Sequence, residues 1–288
     1  MIDLHTHSSF SDGVLLPEEL VLHAKIMGVS IVALTDHDCT DGFQSFLTAC
    51  DEQNIRGIRG IELSTEVEGR DAHILGYGIK KYSILQNFLQ HKRAYNRNRV
   101  ISVMEILRQH GIKLNIEEVL SSAGSNPKRV HIIRYLLSQK ILLQKVQQVI
   151  GKKFSTFNEL FEEVLGESGI AYVPGIITSP EEGCELIHNS GGIAVFAHPG
   201  IRGIMPSQSF FKAFSKAGID GIECYYPEHT IEQTDYFLGI AKELGLLVSG
   251  GTDFHGEGIH SGVEIGVGFG DFSVPAEQLK PLLERLGI

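Results

Sequence analysis

Short apolar runs that carry or end in a histidine or an acid recur along this chain, and they limit its fold more than any other feature. Ser30-Ile-Val-Ala-Leu-Thr35 delivers Asp36-His37-Asp38, Gly192-Ile-Ala-Val-Phe-Ala197 delivers His198-Pro199, and Leu246-Leu-Val-Ser-Gly-Gly-Thr delivers Asp253-Phe254-His255. Ile58–Leu63 and Ala72–Tyr77 carry Glu62 and His73 inside the run. Such runs read as strands buried on both faces. Helix signals lie between them. Pro17-Glu18-Glu19 opens a helix that reaches about Met27 and stops at Gly28, with Pro in the first turn and acids at the positive end. Further helices are expected from about Gly42 to Glu52 and over Ser179–His188, Gln208–Ala217, Thr230–Leu244 and Val274–Leu286. Val263–Phe269 alternates weakly. Strand–helix–strand alternation predicts an α/β fold with parallel strands. The carboxyl ends of such strands share one face, so the fold pattern itself brings these side chains together.

The amino-terminal stretch adds two more donors. Ile2–Ser8 reads as a short strand in which His5 and His7, two apart, share a face, and Asp12 follows in a Ser/Gly loop. A convergent set of His, Asp and Glu without Cys points to a multinuclear hydrolytic centre, not a structural zinc site. Asp36 and Asp38 flank His37 and are placed to orient the imidazole. Ser8 and Ser11 have no evident base besides the metal-type residues, which argues against a covalent route. His23, His91, His110 and His188 lie on helices without acidic or histidine partners at ligand spacing, and His260 falls in a glycine-rich loop near the site.

The alternation breaks at about Tyr82. Ile84, Leu85, Phe88, Leu89, Tyr95, Val100, Val103, Met104 and Leu107 recur at helical spacing up to Gly111, and shorter helical patterns follow around Ile116–Ser121, Val130–Ser138, Leu142–Ile150 and Asn158–Leu165. The α/β pattern resumes at Ala171-Tyr-Val-Pro174. The expected organisation is therefore an α/β body of residues 1–81 and 171–288 with a small helical domain, 82–170, inserted as a substrate cap. Between Tyr82 and Lys140 stand ten Lys/Arg against three acids, a net of +7 in a chain of net −10. That asymmetry suits an anionic ligand, while the acidic remainder argues against duplex DNA as a partner. No apolar stretch approaches the ~20 residues of a spanning helix, and no signal-peptide pattern opens the chain. The four cysteines lack C-x-x-C spacing and read as reduced thiols of a cytoplasmic protein.

The series His5-Thr-His7, Asp12-Gly13, Thr35-Asp36-His37, Glu62, His73, Ala197-His198-Pro199 and Asp253-Phe254-His255-Gly256 resembles the polymerase and histidinol phosphatase (PHP) family. The resemblance implies a distorted (β/α)7-type barrel and up to three divalent ions, Mn²⁺ first, with Zn²⁺ or Fe²⁺ as alternatives. It further implies that His5, His7 and Asp253 hold one ion, that Glu62 bridges it to a second held with His73 and His198, and that Asp12, His37 and His255 hold the third. Asp12, His37, Glu62, His198, Asp253 and His255 would then carry catalysis through metal-activated hydroxide. Lys128-Arg129-Val130-His131 is similar to an Arg-Pro-His motif of PHP nucleotide phosphatases, with Val130 in place of the proline, and Ala171–Pro174 and Tyr226-Pro-Glu-His229-Thr fit the same group. The expected substrates are 3′,5′-bisphosphonucleotides or 5′-mononucleotides, and short single-stranded RNA trimmed from its 5′ end. Arg129 is the leading candidate for a second phosphate, because a guanidinium matches phosphate oxygens in pairs. Arg99, Arg134, Arg202, His131 and His229 follow. The alternatives are a phosphatase of another small metabolite such as histidinol phosphate, and a non-catalytic metal-binding or polymerase-associated module.

Overall fold

The computed structural model describes residues 1–67, 70–122, 127–175, 178–201, 205–257 and 262–288. The chain divides into two compact units, Met1–Asn87 with Ile177–Ile288, and Phe88–Ile176.

The first unit holds all seven strands of the described residues: β1 Ile2–Asp3, β2 Ile31–Leu34, β3 Arg56–Val67, β4 Arg70–Tyr77, β5 Ile193–Phe196, β6 Gly221–Tyr225 and β7 Leu247–Gly250. They hydrogen-bond in sequence order. The sheet then curls until its edges meet. Thr6 bridges Phe254, and the amides of Leu4 and His7 donate to the carbonyls of Gly250 (3.3 Å) and Phe254 (2.9 Å), which makes a nearly closed barrel. Asp3 locks this seam. Its buried carboxylate accepts from the Thr252 amide (2.9 Å), the Thr252 hydroxyl (2.5 Å), the Gly266 amide (2.9 Å) and the His5 amide (3.2 Å).

The apolar strand signals place the elements well, but direction differs from the parallel expectation at one point. β4 runs antiparallel to both β3 and β5. β3 is longer than expected and turns straight into β4, with Gly60 opposite Tyr77 and Val67 opposite Arg70. A parallel return needs a crossover of at least ~10 residues, and the two residues between these strands allow only a hairpin. The remaining neighbours are parallel.

The helices of this unit are α1 Pro17–Ile26, α2 Phe43–Gln53, the start of α3 Tyr82–Gln109, then α8 Pro180–Asn189, α9 Gln208–Ala217, α10 Ile231–Leu244 and α11 Ala276–Leu286. Their ends follow local chemistry. The Glu19 carboxylate accepts from the Leu16 amide at 2.9 Å, and Ser179 with Glu182 and Thr230 with Gln233 form reciprocal caps, which satisfy amides a helix start would otherwise leave bare. One core cluster joins Leu4, Ala33, Ile58, Leu75 and Val195 of the barrel to Leu279, Leu282 and Leu283 of α11. Residues 263–269 are not a strand: among the described residues one bridge, Glu264 to Gly268, is all the strand pairing they make, and Gly266, Gly268 and Gly270 take positive φ that turns the chain.

The second unit is helical, with most of α3, α4 Ile116–Ser122, α5 Arg129–Ser138, α6 Lys140–Ile150 and α7 Phe157–Leu165. Val100, Val103, Met104 and Leu107 of α3 pack on Ile132, Leu136, Val146 and Leu160, as their i, i+3, i+4, i+7 spacing requires. Ala171–Pro174, expected as the resumption of the α/β pattern, forms no strand. Ala171 is buried in this helical core, Arg99 donates to the Val173 carbonyl (2.8 and 2.6 Å), and the Tyr95 hydroxyl donates to the Pro174 carbonyl (2.9 Å). No helix of the described residues is long and apolar enough to cross a membrane.

Candidate metal centre

Most donors are held by short devices just beyond the end of a strand, while Glu62 and His73 stand inside β3 and β4. Beyond β1 the backbone stays extended, so Thr6 turns one way and His5 and His7 the other. The Thr6 hydroxyl donates to the Ala33 carbonyl (2.7 Å), and its amide donates to the Thr35 hydroxyl (3.1 Å). His5 and His7 are wholly buried. Asp12 comes from a loop pinned by Asp36, whose carboxylate accepts from the Ser8 amide (2.7 Å), the Ser8 hydroxyl (2.7 Å) and the Ser11 hydroxyl (2.6 Å). The flanking acids thus hold loops. Asp38 accepts from the Ser64 amide at 3.1 Å. A side chain at Gly13 would fall on the His7 carbonyl, so glycine is required there. His37 follows β2 and bridges to Glu62 of β3. His198 and Asp253 follow β5 and β7, and Asp38, His198 and Asp253 all have positive φ (47°, 27° and 56°). Non-glycine residues in that region are strained, and such strain gathers at functional sites. His73 reaches the same face from the first half of β4, because that strand runs backwards.

The donor atoms meet in three overlapping groups: His5, His7, Glu62 and Asp253; His7, Asp12, His37 and His255; and His37, Glu62 and His73. In the first, the Nε2 atoms of His5 and His7 lie 3.1 Å apart, 3.3 and 3.2 Å from Glu62 Oε2, and 3.2 and 3.0 Å from Asp253 Oδ1. Glu62 is the hub. Its Oε2 also meets His37 Nδ1 (3.1 Å), and its Oε1 meets His73 Nδ1 (2.8 Å) and His198 Nε2 (2.9 Å). His198 therefore joins through Glu62, and His7 and His37 are each shared between groups. Asp12 Oδ1 lies 3.2 Å from His255 Nε2.

The arrangement fits divalent ions on two counts. Ligand atoms ~2.0–2.1 Å from one ion stand roughly 3 Å from each other, the spacing of the first group. Asp12 Oδ1 and His73 Nδ1 are buried and, among the described residues, make no hydrogen bond, although a nitrogen or oxygen lies within 3.2 Å of each. Buried polar atoms are rarely left so. The charges agree. Burial alone would raise the Glu62 carboxyl, but the rings of His37, His73 and His5 hold it well below the usual range. Burial likewise opposes the lowering of Asp253, which His5 and His7 impose. Burial would lower His7, yet hydrogen bonds to Asp253 and Glu62 push it up to about 10.

Sequence reasoning missed two residues of this centre. Glu223, inside β6, is wholly buried and contacts His5 Nδ1 at 2.9 Å; the only signal was an acid within an apolar strand. The Tyr226 hydroxyl donates to Asp253 Oδ2 (3.2 Å), and burial keeps this phenol raised and neutral. Two histidines given no acidic partner do have one, brought from afar: His23 meets Glu264 (2.6 Å) and His188 meets Asp220 (2.8 Å). Arg129 donates to the Leu165 carbonyl (2.8 Å) and lies over the Phe161 ring, His131 Nδ1 accepts from the Lys128 amide (3.0 Å), Arg99 holds Val173, and Arg134 is exposed. His229 donates Nδ1–H to the Cys224 carbonyl (3.0 Å), and its buried Nε2 has no hydrogen-bond partner among the described residues. Arg202 and His260 lie outside the described residues.

Gly251 packs directly against the backbone of His5. A Cβ there would run into the His5 backbone nitrogen and Cβ. Gly251→Ala is expected to cost ~1–3 kcal/mol of stability, the usual scale of overpacking, and to weaken metal uptake. Urea titration and metal analysis check both; an unchanged midpoint would show that the seam can yield.

Comparison with known proteins agrees with this geometry. The chain is 35% identical to a 5′-3′ exoribonuclease of Haemophilus influenzae, with 88% of this chain and 89% of the relative covered. It is 31% identical to a 3′,5′-nucleoside bisphosphate phosphatase of Chromobacterium violaceum, covering 89% and 88%. A solved Bifidobacterium adolescentis protein assigned as a metal-dependent phosphoesterase superposes with a TM-score of 0.78 at 25% identity, covering 99% of this chain and 96% of that one. The model of the PHP domain matches residues 3–164. More than half of the sequence, the nearly closed seven-stranded barrel and the convergent His/Asp/Glu set thus agree: the chain belongs to the PHP domain family and has the fold of its metal-dependent phosphoesterases.

Proposed function

We propose that this protein hydrolyses phosphate monoesters of nucleotides, 3′,5′-bisphosphonucleotides or 5′-mononucleotides, and trims short single-stranded RNA from a 5′-phosphorylated end. The observation that carries the reading is Glu62, whose two oxygens are met by His5, His7, His37, His73 and His198. One carboxylate among five imidazoles suits a site built to share ions, with His5, His7, Asp12, His37, Glu62, His73, His198, Asp253 and His255 as the ligands. Bound divalent ions lower the pKa of water from 15.7 towards ~7 and neutralise phosphoryl oxygens. Mn²⁺ is the proposed ion, with Zn²⁺ and Fe²⁺ as alternatives that the same donors accept.

The chain's own part is to fix those ligands and keep competing chemistry out. Tyr226 orients the Asp253 carboxylate as a neutral donor. Ser8 and Ser11 are engaged by Asp36, and the four cysteines are buried, with the thiols of Cys50 and Cys184 pushed up to about 12 by burial. None of these is set to act as a nucleophile. All four thiols are free, which supports a cytoplasmic setting. The basic helical unit is proposed to select the substrate; the relatives named as acting on bisphosphonucleotides and on RNA support that choice.

The test is phosphate release by Mn²⁺-loaded protein from 3′,5′-bisphosphoadenosine, 5′-AMP, histidinol phosphate and a 5′-phosphorylated RNA oligomer. Turnover of the bisphosphate or the RNA, lost on chelation, supports the reading. Turnover of histidinol phosphate alone overturns the nucleotide assignment.

A further inference from the structure

Glu223 lies outside all three donor groups, yet it touches His5, a member of the first, and His198, which joins them through Glu62. It sits on β6 among Gly221, Ile222 and Cys224, with no exposed surface. Its Oε1 accepts from His5 Nδ1 (2.9 Å), and its Oε2 accepts from the backbone amide of His198 (2.7 Å) and lies 3.2 Å from the same His5 nitrogen. Among the described residues no lysine or arginine pairs with it. A buried carboxylate without a cationic partner is costly, so its place needs a reason.

The geometry supplies one. With Nδ1 donating its proton to Glu223, the lone pair of His5 is on Nε2, the atom aimed at His7, Glu62 and Asp253. The other bond restrains the positive-φ turn at His198 (φ 27°), whose Nε2 reaches Glu62 Oε1 at 2.9 Å. The rings of His5 and His198 stack at 5.6 Å. One carboxylate therefore holds the ring of one donor and the backbone of another, which follow β1 and β5. The strand pairing shifts directly after it, from Glu223 opposite Ser249 to Tyr225 opposite Gly250, a bulge of the kind that re-aims side chains beside active sites. It leaves the next residue, Tyr226, hydrogen-bonded to Asp253.

We propose that Glu223 is the positioning residue of the centre: it holds His5 as the Nδ1-protonated tautomer and restrains the turn at His198, so that metal affinity depends on its two acceptor oxygens. This rests on the reading of His5 and His198 as ligands. Glu223→Gln tests it sharply. The amide keeps the volume but has a single acceptor oxygen and an NH2 that donates. Either the NH2 faces the His198 N–H, donor against donor, or it faces His5 and drives the ring proton to Nε2, where the lone pair is needed. Glu223→Asp keeps both oxygens on a side chain one methylene shorter and is expected to retain part of the affinity.

The experiment is Zn²⁺ calorimetry with metal content, together with imidazole ¹⁵N spectra of the Zn²⁺-loaded protein, on wild type, Glu223→Gln, Glu223→Asp and His5→Ala. The last also assigns the His5 signals. We expect Glu223→Gln to bind Zn²⁺ ~10–100-fold more weakly, the usual scale for partners behind a metal ligand, and the wild-type His5 signal to show the proton on Nδ1. A role in folding alone would move the melting point and leave affinity and tautomer unchanged. Wild-type affinity in Glu223→Gln, or a His5 proton on Nε2 in wild type, overturns the proposal. Should Glu223→Gln not fold, the wild-type tautomer and the Glu223→Asp affinity decide it. Undiminished binding by His5→Ala would overturn the metal reading itself, an outcome distinct from the others.

Discussion

Glu62→Ala is expected to reduce phosphomonoester hydrolysis by at least ~10²-fold, the scale on which one electrostatic group at a reacting centre acts, and to lower the bound metal per chain. The reason is geometric. Among the described residues Asp12 and Asp253 each meet three of the rings, whereas Glu62 meets five imidazoles through two oxygens at 2.8–3.3 Å. Among the described residues, its loss removes the only acid at bonding distance from the ring nitrogens of His73 and His198. It also leaves buried rings whose protonated forms it stabilised, His7 and His198 among them. Glu62→Gln separates the effects, since the amide fills the space without the charge. Assays of activity and metal content on both variants, beside melting curves, check the prediction. A variant with full metal content and near wild-type turnover would remove Glu62 from its central place.

Chelation should make stability respond to pH in the sense opposite to metal loading. In the metal-free protein His7 is raised to about 10, with burial opposing and Asp253 and Glu62 driving the shift. Against burial, His5 is raised by Glu223, Asp253 and Glu62, and His198 by Glu62, Asp253 and Glu223. A raised histidine stabilises the fold fully below its unfolded pKa of ~6.5, and that stability is lost as pH climbs through the folded value. The carboxyls of Glu62 and Asp253 are lowered, so their contribution is present above ~4 and lost as pH falls. The chelated protein should therefore be most stable between roughly pH 4.5 and 6.5 and weaken from there towards pH 10. With excess Mn²⁺ the folded rings carry no protons while the unfolded ones still do below ~6.5. Stability should then rise with pH up to that point and level off. An ion at ~100 times its dissociation constant adds about 2.7 kcal/mol, so the loaded protein should melt several degrees higher at neutral pH. Thermal melts at pH 5, 6.5, 8 and 9.5, with and without chelator, decide the matter; parallel curves for the two forms would contradict it.

Much of this was readable before any coordinates, for identifiable reasons. Donors such as His37, His198 and Asp253 directly follow short apolar runs, and strand ends are where such a barrel places its chemistry. Direction was not readable. An apolar run looks the same whichever way it is traversed, so the reversal of β4 was visible only in the shortness of the link after Val67, and His73 reached the right face by an unexpected route. Glu223 escaped because one acid inside Gly221-Ile-Glu-Cys-Tyr looks like a flaw in a strand until His5 is seen behind it. Arg129 shows another limit: its motif suggested a phosphate contact, but the contacts its guanidinium makes with the Leu165 carbonyl and the Phe161 ring are ones that no local pattern foretells.

The seam at Asp3 also sets an order of events. Its carboxylate takes hydrogen bonds from Thr252, 249 residues further along the chain, and His5 and His7 share their first group with Asp253. During synthesis the earliest histidines emerge long before the strand that completes their surroundings. Closing so long a loop is entropically slow. Ion capture should thus be among the last steps of maturation, and a ribosome-stalled chain lacking β7 should bind metal poorly even with most of the donors already made.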